Sequence, residues 1–398
     1  MCRYDFFDLF FAGRCPDKLY FRAQYQRIDF IMKLSIRLSL LCLAVAFAMS
    51  ACKNQNPATD LKEQDQATAG VWTMERAQEW YKPWGWLRGS DFIPSTAINQ
   101  LEMWQAETFD TVTIDRELGW AESIGMNSMR VYLHHLAWEV DPEGFKKRVH
   151  HYLSIADRHH ISTLFVLFDD CWNPTYQAGK QPDPRPGIHN SGWVRDPGDQ
   201  LFEDTTLVHT LERYTKDMLT TFGTDRRIVL WDLYNEPGNS GYGNKSLSLL
   251  QKVFQWGREV NPSQPLSVGL WHGDLKELNA YQLQHSDVIT YHHYGERENH
   301  QAMIDSLRSY GRPLICTEYM ARTRNSFFET IMPMLKKENV GAYNWGLVAG
   351  KTNTIYAWDT PLPDGKEPPV WFHDIFRKDG TPYDEKEITL IKSLTNTP

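Results

Sequence analysis

From residue 85 onward the chain alternates short continuous apolar runs with longer stretches whose apolar positions recur at helical spacing. The runs predict eight strands: 85–89, 128–133, 163–168, 228–234, 266–270, 288–292, 314–317 and 342–345. Between and after them the spacing predicts helices over 114–124, 142–159, 205–221, 247–260, 275–284, 302–310, 327–338 and 385–394. In the second of these, Phe145, Val149, Tyr152, Leu153 and Ala156 fall on one face, as a helix lying on a sheet requires. Eight such alternations imply an α/β fold, a single (β/α)8 TIM barrel over residues 71–398. One connection is too long for a plain turn. Residues 171–204, after the third strand, are rich in proline yet carry Trp172, Tyr176, His189 and Trp193, which suits a functional loop better than a disordered one.

The N-terminal pattern is different. Residues 32–51 have a basic start at Lys33 and Arg37 and an apolar stretch of signal-peptide length, followed by Met49-Ser50-Ala51 before Cys52. This resembles a bacterial lipoprotein signal with Cys52 as the lipidation site. An uncleaved membrane anchor is the alternative. Residues 1–31 precede the better start at Met32 and read as a misassigned upstream start, and 52–70 read as a polar, flexible tether. Loss of residues 1–51 removes seven Lys/Arg and four Asp, which shifts the net charge from −8 to about −11. So acidic a chain argues against nucleic acid as a partner. The expected membrane association is through the N-terminal lipid alone, at a bacterial cell envelope. Cys52, Cys171 and Cys316 would then be the remaining cysteines, with neither a disulfide framework nor a CxxC metal pattern.

Composition sharpens the barrel reading. The 15 Trp and 18 Tyr exceed what a core of this size needs, and aromatic faces that also meet water suit the cleft of a polar ligand. Two glutamates stand at strand ends, Glu236 in IVLWDLYNEP and Glu318 in PLICTEY. Strands four and seven lie three apart around a barrel, so the two side chains can face each other across its mouth. Glycoside hydrolysis uses such a pair, one carboxyl donating a proton and the other attacking the anomeric carbon or activating water. Asn235 can bond a hydroxyl beside the reacting carbon. Pro237 ends strand pairing and is expected to bias Glu236 toward extended backbone.

WDLYNEP, the later CTEY and a tryptophan at the eighth strand together resemble the retaining glycoside hydrolases of clan A, the family 5 cellulase-like and family 2 enzymes, over roughly residues 80–394. The resemblance implies Glu236 as general acid/base and Glu318 as nucleophile, in a double displacement on a poly- or oligosaccharide without a cofactor or metal. It also implies that Arg130 pairs with the nucleophile, that Asn235 meets the 2-hydroxyl, that His292 and Tyr294 sit near the nucleophile, and that Trp345 is the platform under the reacting sugar. His293 replaces His292 if the register slips by one residue.

Other positions carry weaker expectations. In FDDCW, Asp169, Asp170 and Trp172 stand where family 5 enzymes often carry His-Asn, and Asp170 with Trp172 is expected to contact substrate. Calcium ligation or a structural pairing is the alternative for the acids. Trp86, Arg88 and Asp91 are further pocket candidates. Cys171 and Cys316 read as isolated thiols, Cys316 sharing pleat parity with Glu318. The doublets His134-His135, His150-His151 and His159-His160 make poor metal pairs, because adjacent side chains diverge; His134 or His135 could touch substrate. The loop bearing Trp172 and Trp193 leans toward exo action, although an open groove with the same aromatics would act internally. Two readings stand beside glycosidase action: an inactive carbohydrate-binding lipoprotein on the same barrel, and a metal-dependent barrel hydrolase, which lacks a ligand set at familiar spacing.

Overall fold

The computed structural model describes residues 70–395; the expected signal segment, Cys52 and nearly all of the tether lie outside the described residues. Eight parallel strands form one sheet: β1 Arg88–Asp91, β2 Ser128–Tyr132, β3 Ser162–Asp169, β4 Ile228–Asn235, β5 Leu266–Ser267, β6 Ile289–His292, β7 Leu314–Tyr319 and β8 Gly341–Trp345. Their order runs β5-β4-β3-β2-β1-β8-β7-β6. A bridge between Leu270 and Tyr291 draws the two edges together, giving the nearly closed (β/α)8 barrel that the alternation predicts.

All eight residues of β4 are buried, as are seven of the eight in β3, which explains why both read as continuous apolar runs rather than alternating ones. Leu164, Val166, Leu230, Ile315 and Tyr343 belong to one buried cluster, while Phe165, Leu167, Trp231 and Leu233 belong to a second, which also holds Phe145, Val149 and Leu153 of the helix Pro142–Arg158. The side-chain alternation along β3 and β4 thus divides barrel interior from helix-facing layer.

The register of β1 departs from expectation. The strand begins at Arg88, three residues later than the apolar run suggests, and at Gly89 it runs so close to β2 that a Cβ would fall 1.6 Å from the Ser128 carbonyl oxygen. Trp86 and Arg88 therefore lie at the lower end, not in the pocket. Arg88 donates to the Gly125 and Trp86 carbonyls, and the Trp86 indole donates to the Val340 carbonyl. Beneath the barrel the helix Met74–Tyr81 crosses the opening, tied by Trp72 N–H to Asp287 and by Gln78 to the Gly311 carbonyl.

Two long segments rise above the opposite end. Residues 171–204 follow β3 and 346–384 follow β8. They join where Asn190 N–H donates to the Thr352 carbonyl, Leu362 N–H to the Gly187 carbonyl and Asn353 to the Arg185 and Ile188 carbonyls. The first segment is also clasped to β2's exit. His134 and His135 do not diverge: His134 is the extended N-cap of the helix His135–Val140, so both rings converge on buried Asp196. His134 Nδ1 accepts from Leu136 N–H, so Nε2 carries the hydrogen facing the Arg195 carbonyl. That ring is spent on structure, and the pair does not reach the substrate side.

Candidate active site

β1, β2, β4 and β7 converge on Arg130, which is fully buried. Its Nη1 donates to Glu318 Oε1 at 2.9 Å, Asp91 Oδ1 at 2.7 Å and the Tyr132 hydroxyl at 2.6 Å, and its Nη2 to Asp232 Oδ2 and Asn235 Oδ1, both at 2.7 Å. One cation facing three carboxylates leaves an excess of negative charge. Burial works against it by pushing the Asp91 carboxyl well above the usual carboxylate range. Glu318 also accepts from Tyr132 at 3.0 Å and Tyr294 at 2.7 Å. Burial raises both phenols, which remain donors.

Glu236 is held differently. His292 Nδ1 lies 2.7 Å from its Oε1, while the Cys171 thiol at 3.3 Å and the Asn239 amide both donate to Oε2. Burial pushes this carboxyl up, but the His292 ring and then the thiol and amide outweigh it, and the net shift is downward. His292 also approaches Glu318 Oε2 at 3.5 Å, so it stands between the two acids. Oxygens of Glu236 and Glu318 and a nitrogen of His292 lie within 4.8 Å of one another. His293 stacks on His300 at the cavity wall while His292 bonds Glu236, so the register slip that would exchange the histidines does not occur.

The backbone expectation for Glu236 fails. Its φ is 45°, left-handed rather than extended, and Trp172 (74°) and Met320 (71°) share that region just beyond β3 and β7. Such conformations cost on the order of 1–3 kcal/mol each and concentrate at functional sites. Gly238, with φ 88°, completes the turn. It is fastened by Asp170, which accepts from Gly238 N–H, Ser246 and Tyr234. Asp170 is 1% exposed and does not line the cavity, so its place is structural and the expected sugar contact is not made. Asp169 does line it, and burial pushes its carboxyl up to about 7 even though it accepts from Asn235 at 2.9 Å and the Trp193 indole at 2.7 Å.

A cavity of about 570 Å³ opens above these groups, lined by Glu236, Glu318, Asn235, His292, Tyr294, Trp172 and Trp345 among others. Trp345 packs edge-on against Tyr132 and Trp193 at 5.7 and 5.4 Å between ring centroids, so its plane is fixed. Several of these residues escaped the sequence reading. Tyr132 and Asp232 lie inside plain strand runs, and Trp358 and His373 come from a segment without periodicity, whose local density of rings was the available signal. Cys171 is a half-buried wall residue bonded to Glu236. Cys316 lies in the helix-facing layer with Tyr291, so the expected shared parity with Glu318 fails, because β7 carries a register shift between Cys316 and Tyr319.

A family model described as Cellulase (glycosyl hydrolase family 5) matches residues 187–351, the stretch that carries both Glu236 and Glu318. No curated protein sequence matches. Among solved structures, the chain is similar in fold to an exo-β-1,4-mannosidase from an Opitutaceae bacterium (TM-score 0.55, 16% identity, 78% of this chain and 60% of that one). It is also similar to the β-mannanase of the blue mussel Mytilus edulis (TM-score 0.51, 15% identity, 78% and 92%) and to a Streptomyces cattleya enzyme solved with Manβ1-4GlcNAc (TM-score 0.52, 11% identity, 79% and 82%). This chain thus spans less than two thirds of the Opitutaceae enzyme. The fold and this partial family match make the chain similar to glycoside hydrolases.

Proposed function

We propose that the protein is a retaining β-glycosidase in which Glu318 is the nucleophile and Glu236 the acid/base. The observation that carries this is the approach of their carboxylate oxygens to within 4.8 Å. Retaining enzymes hold the two carboxyl groups about 5–5.5 Å apart, whereas inverting ones leave about 6.5–9.5 Å for a water. Glu318, paired with Arg130, attacks the anomeric carbon as the glycosidic C–O bond breaks and Glu236 gives its proton to the departing oxygen. In the second step Glu236 takes a proton from water, whose oxygen displaces Glu318 from the same carbon.

Asn235 begins with both amide hydrogens engaged, one by Asp169 and one by the Cys171 sulfur at 3.4 Å. The sulfur contact is the weaker, and a sugar 2-hydroxyl replaces it. Trp345 receives the sugar's apolar face. The joined segments 171–204 and 346–384 wall one side of the cavity, which favours action on chain ends. Lipid at Cys52 holds the enzyme at the cell envelope; Cys52→Ser is expected to release it into the soluble fraction.

Aryl β-glycosides test the reading, β-mannosides first because two structural neighbours are named for that linkage. Proton NMR of the first-formed sugar should show the β anomer. An α anomer would overturn the retaining assignment, and failure to turn over any glycan in a broad panel would leave the carbohydrate-binding alternative.

A further inference from the structure

His189 stands in the segment 171–204, away from both carboxylates, yet it lines the same cavity. Its Nδ1 lies 2.8 Å from the Tyr356 carbonyl oxygen. A carbonyl only accepts, so Nδ1 carries the hydrogen. Burial lowers the imidazole to a pKa of about 4, so at neutral pH the ring is uncharged and Nε2 is left with a bare lone pair. Among the described residues none bonds that nitrogen, and the ring, 3% exposed, is fixed in place. Trp172 packs on it at 5.2 Å with planes tilted by 33°, and His373 abuts it at 5.5 Å. The flanking backbone is strained to hold this arrangement, with positive φ at Trp172 and at Asn190. The tie to Tyr356 spans the two segments that wall the cavity, so the acceptor sits at their seam.

We propose that His189 determines glycon specificity: Nε2 is an obligate acceptor that takes a hydrogen bond from one hydroxyl of the sugar bound in the cavity. The inference rests on the glycosidase reading and adds to it a residue outside the reacting groups. A rigid neutral acceptor discriminates by demanding a donor at one point, so an analogue lacking that hydroxyl leaves Nε2 dry and unpaired.

The test is a set of aryl β-glycosides of the best-cleaved sugar, each lacking one hydroxyl, with the full-length protein and two variants. His189→Asn keeps an amide donor where Nδ1 stands and removes the acceptor. His189→Gln places an amide oxygen near the position of Nε2. On the wild type, one deoxy substrate should lose about 10- to 100-fold in kcat/KM. His189→Asn should lose a similar factor on the intact glycoside and almost nothing further on that deoxy substrate, and His189→Gln should recover part of the loss. Equal losses on intact and deoxy substrates would mean a structural role only and would overturn the proposal. Calorimetric titration of the same glycosides into Glu318→Gln reads the contact without turnover. A protein that binds but never hydrolyses would thus overturn the glycosidase reading, while the ratio of Kd values for intact and deoxy sugar still decides the case of His189.

Discussion

The two halves of the catalytic mouth are built from different chemistry. Glu318, at the end of β7, is locked by a permanent cation and a phenol from β2 and by a second phenol, Tyr294, just past β6, and both phenols stay protonated. On the side of β3, β4 and β6, Glu236 is held by a thiol, an amide and an imidazole. The first set fixes a charge state, because nothing in it titrates near neutral pH. The second is made of groups that lower the Glu236 carboxyl and so favour its ionised form, the form a base requires, and each of them can be removed singly to move the balance back toward the acid.

The largest effect should come from deleting the fixed side. Glu318→Ala is expected to lower kcat by at least about 10^4-fold, since no other group supplies the bond to the anomeric carbon. Small anions such as azide should restore turnover by attacking from the vacated space. Glu236→Ala should cost about 10²–10⁴-fold, and less for aryl leaving groups that need little protonation. A similar loss from both variants on all leaving groups would erase the proposed division of labour.

Arg130→Met tests the fixed side by stability. Removing the cation strands Asp232 and Glu318 in a buried site, at a cost of about 3–5 kcal/mol in denaturant unfolding. A cost below about 1 kcal/mol would show that the carboxylates are not held by this charge. On the adaptable side the effects are smaller and lie in pH dependence. Cys171→Ala and Asn239→Ala each remove a donor that favours the ionised form of Glu236, so its pKa should rise. The alkaline limb of kcat, where the acid is lost, should then move to higher pH with only a few-fold change at the optimum. A shift to lower pH would contradict the donor assignment.

A last prediction lies outside the mouth. Glu117 is buried against Ser95, and burial raises its carboxyl to about 7 from 4.5. A folded-state pKa above the unfolded one favours folding below about 4.5, and that contribution is lost as pH rises through about 7. Glu117→Gln should flatten this decline, by roughly 1–3 kcal/mol between pH 4.5 and 7.5. An unchanged slope would show that Glu117 is not the group responsible.

The barrel was legible because strands buried on both faces write themselves as apolar runs, and the helices between them keep their spacing. Glu236 and Glu318 were legible because a carboxylate closing such a run is out of place unless the strand end matters. What stayed hidden depends on contacts distant in sequence. The start of β1 at Arg88 depends on its pairing with β2 and β8, which no local pattern records. The conformation of Glu236 contradicts the ordinary effect of a following proline, because Asp170 and Ser246 fasten the turn from outside. The convergence of His134 and His135 needs a change from extended to helical backbone between two neighbours. The wall carrying Trp358 and His373 has no periodicity at all, and its position follows from the bonds to the segment before it.

The ring-rich lining of the cavity has an optical consequence. Five of the chain's 15 tryptophans, Trp172, Trp193, Trp271, Trp345 and Trp358, border this single space. A sugar entering it displaces water from indole surfaces that account for a third of the emitting residues. The native protein therefore carries its own fluorescent gauge of occupancy, and titration with unlabelled oligosaccharides should rank ligands before any chromogenic substrate is synthesised.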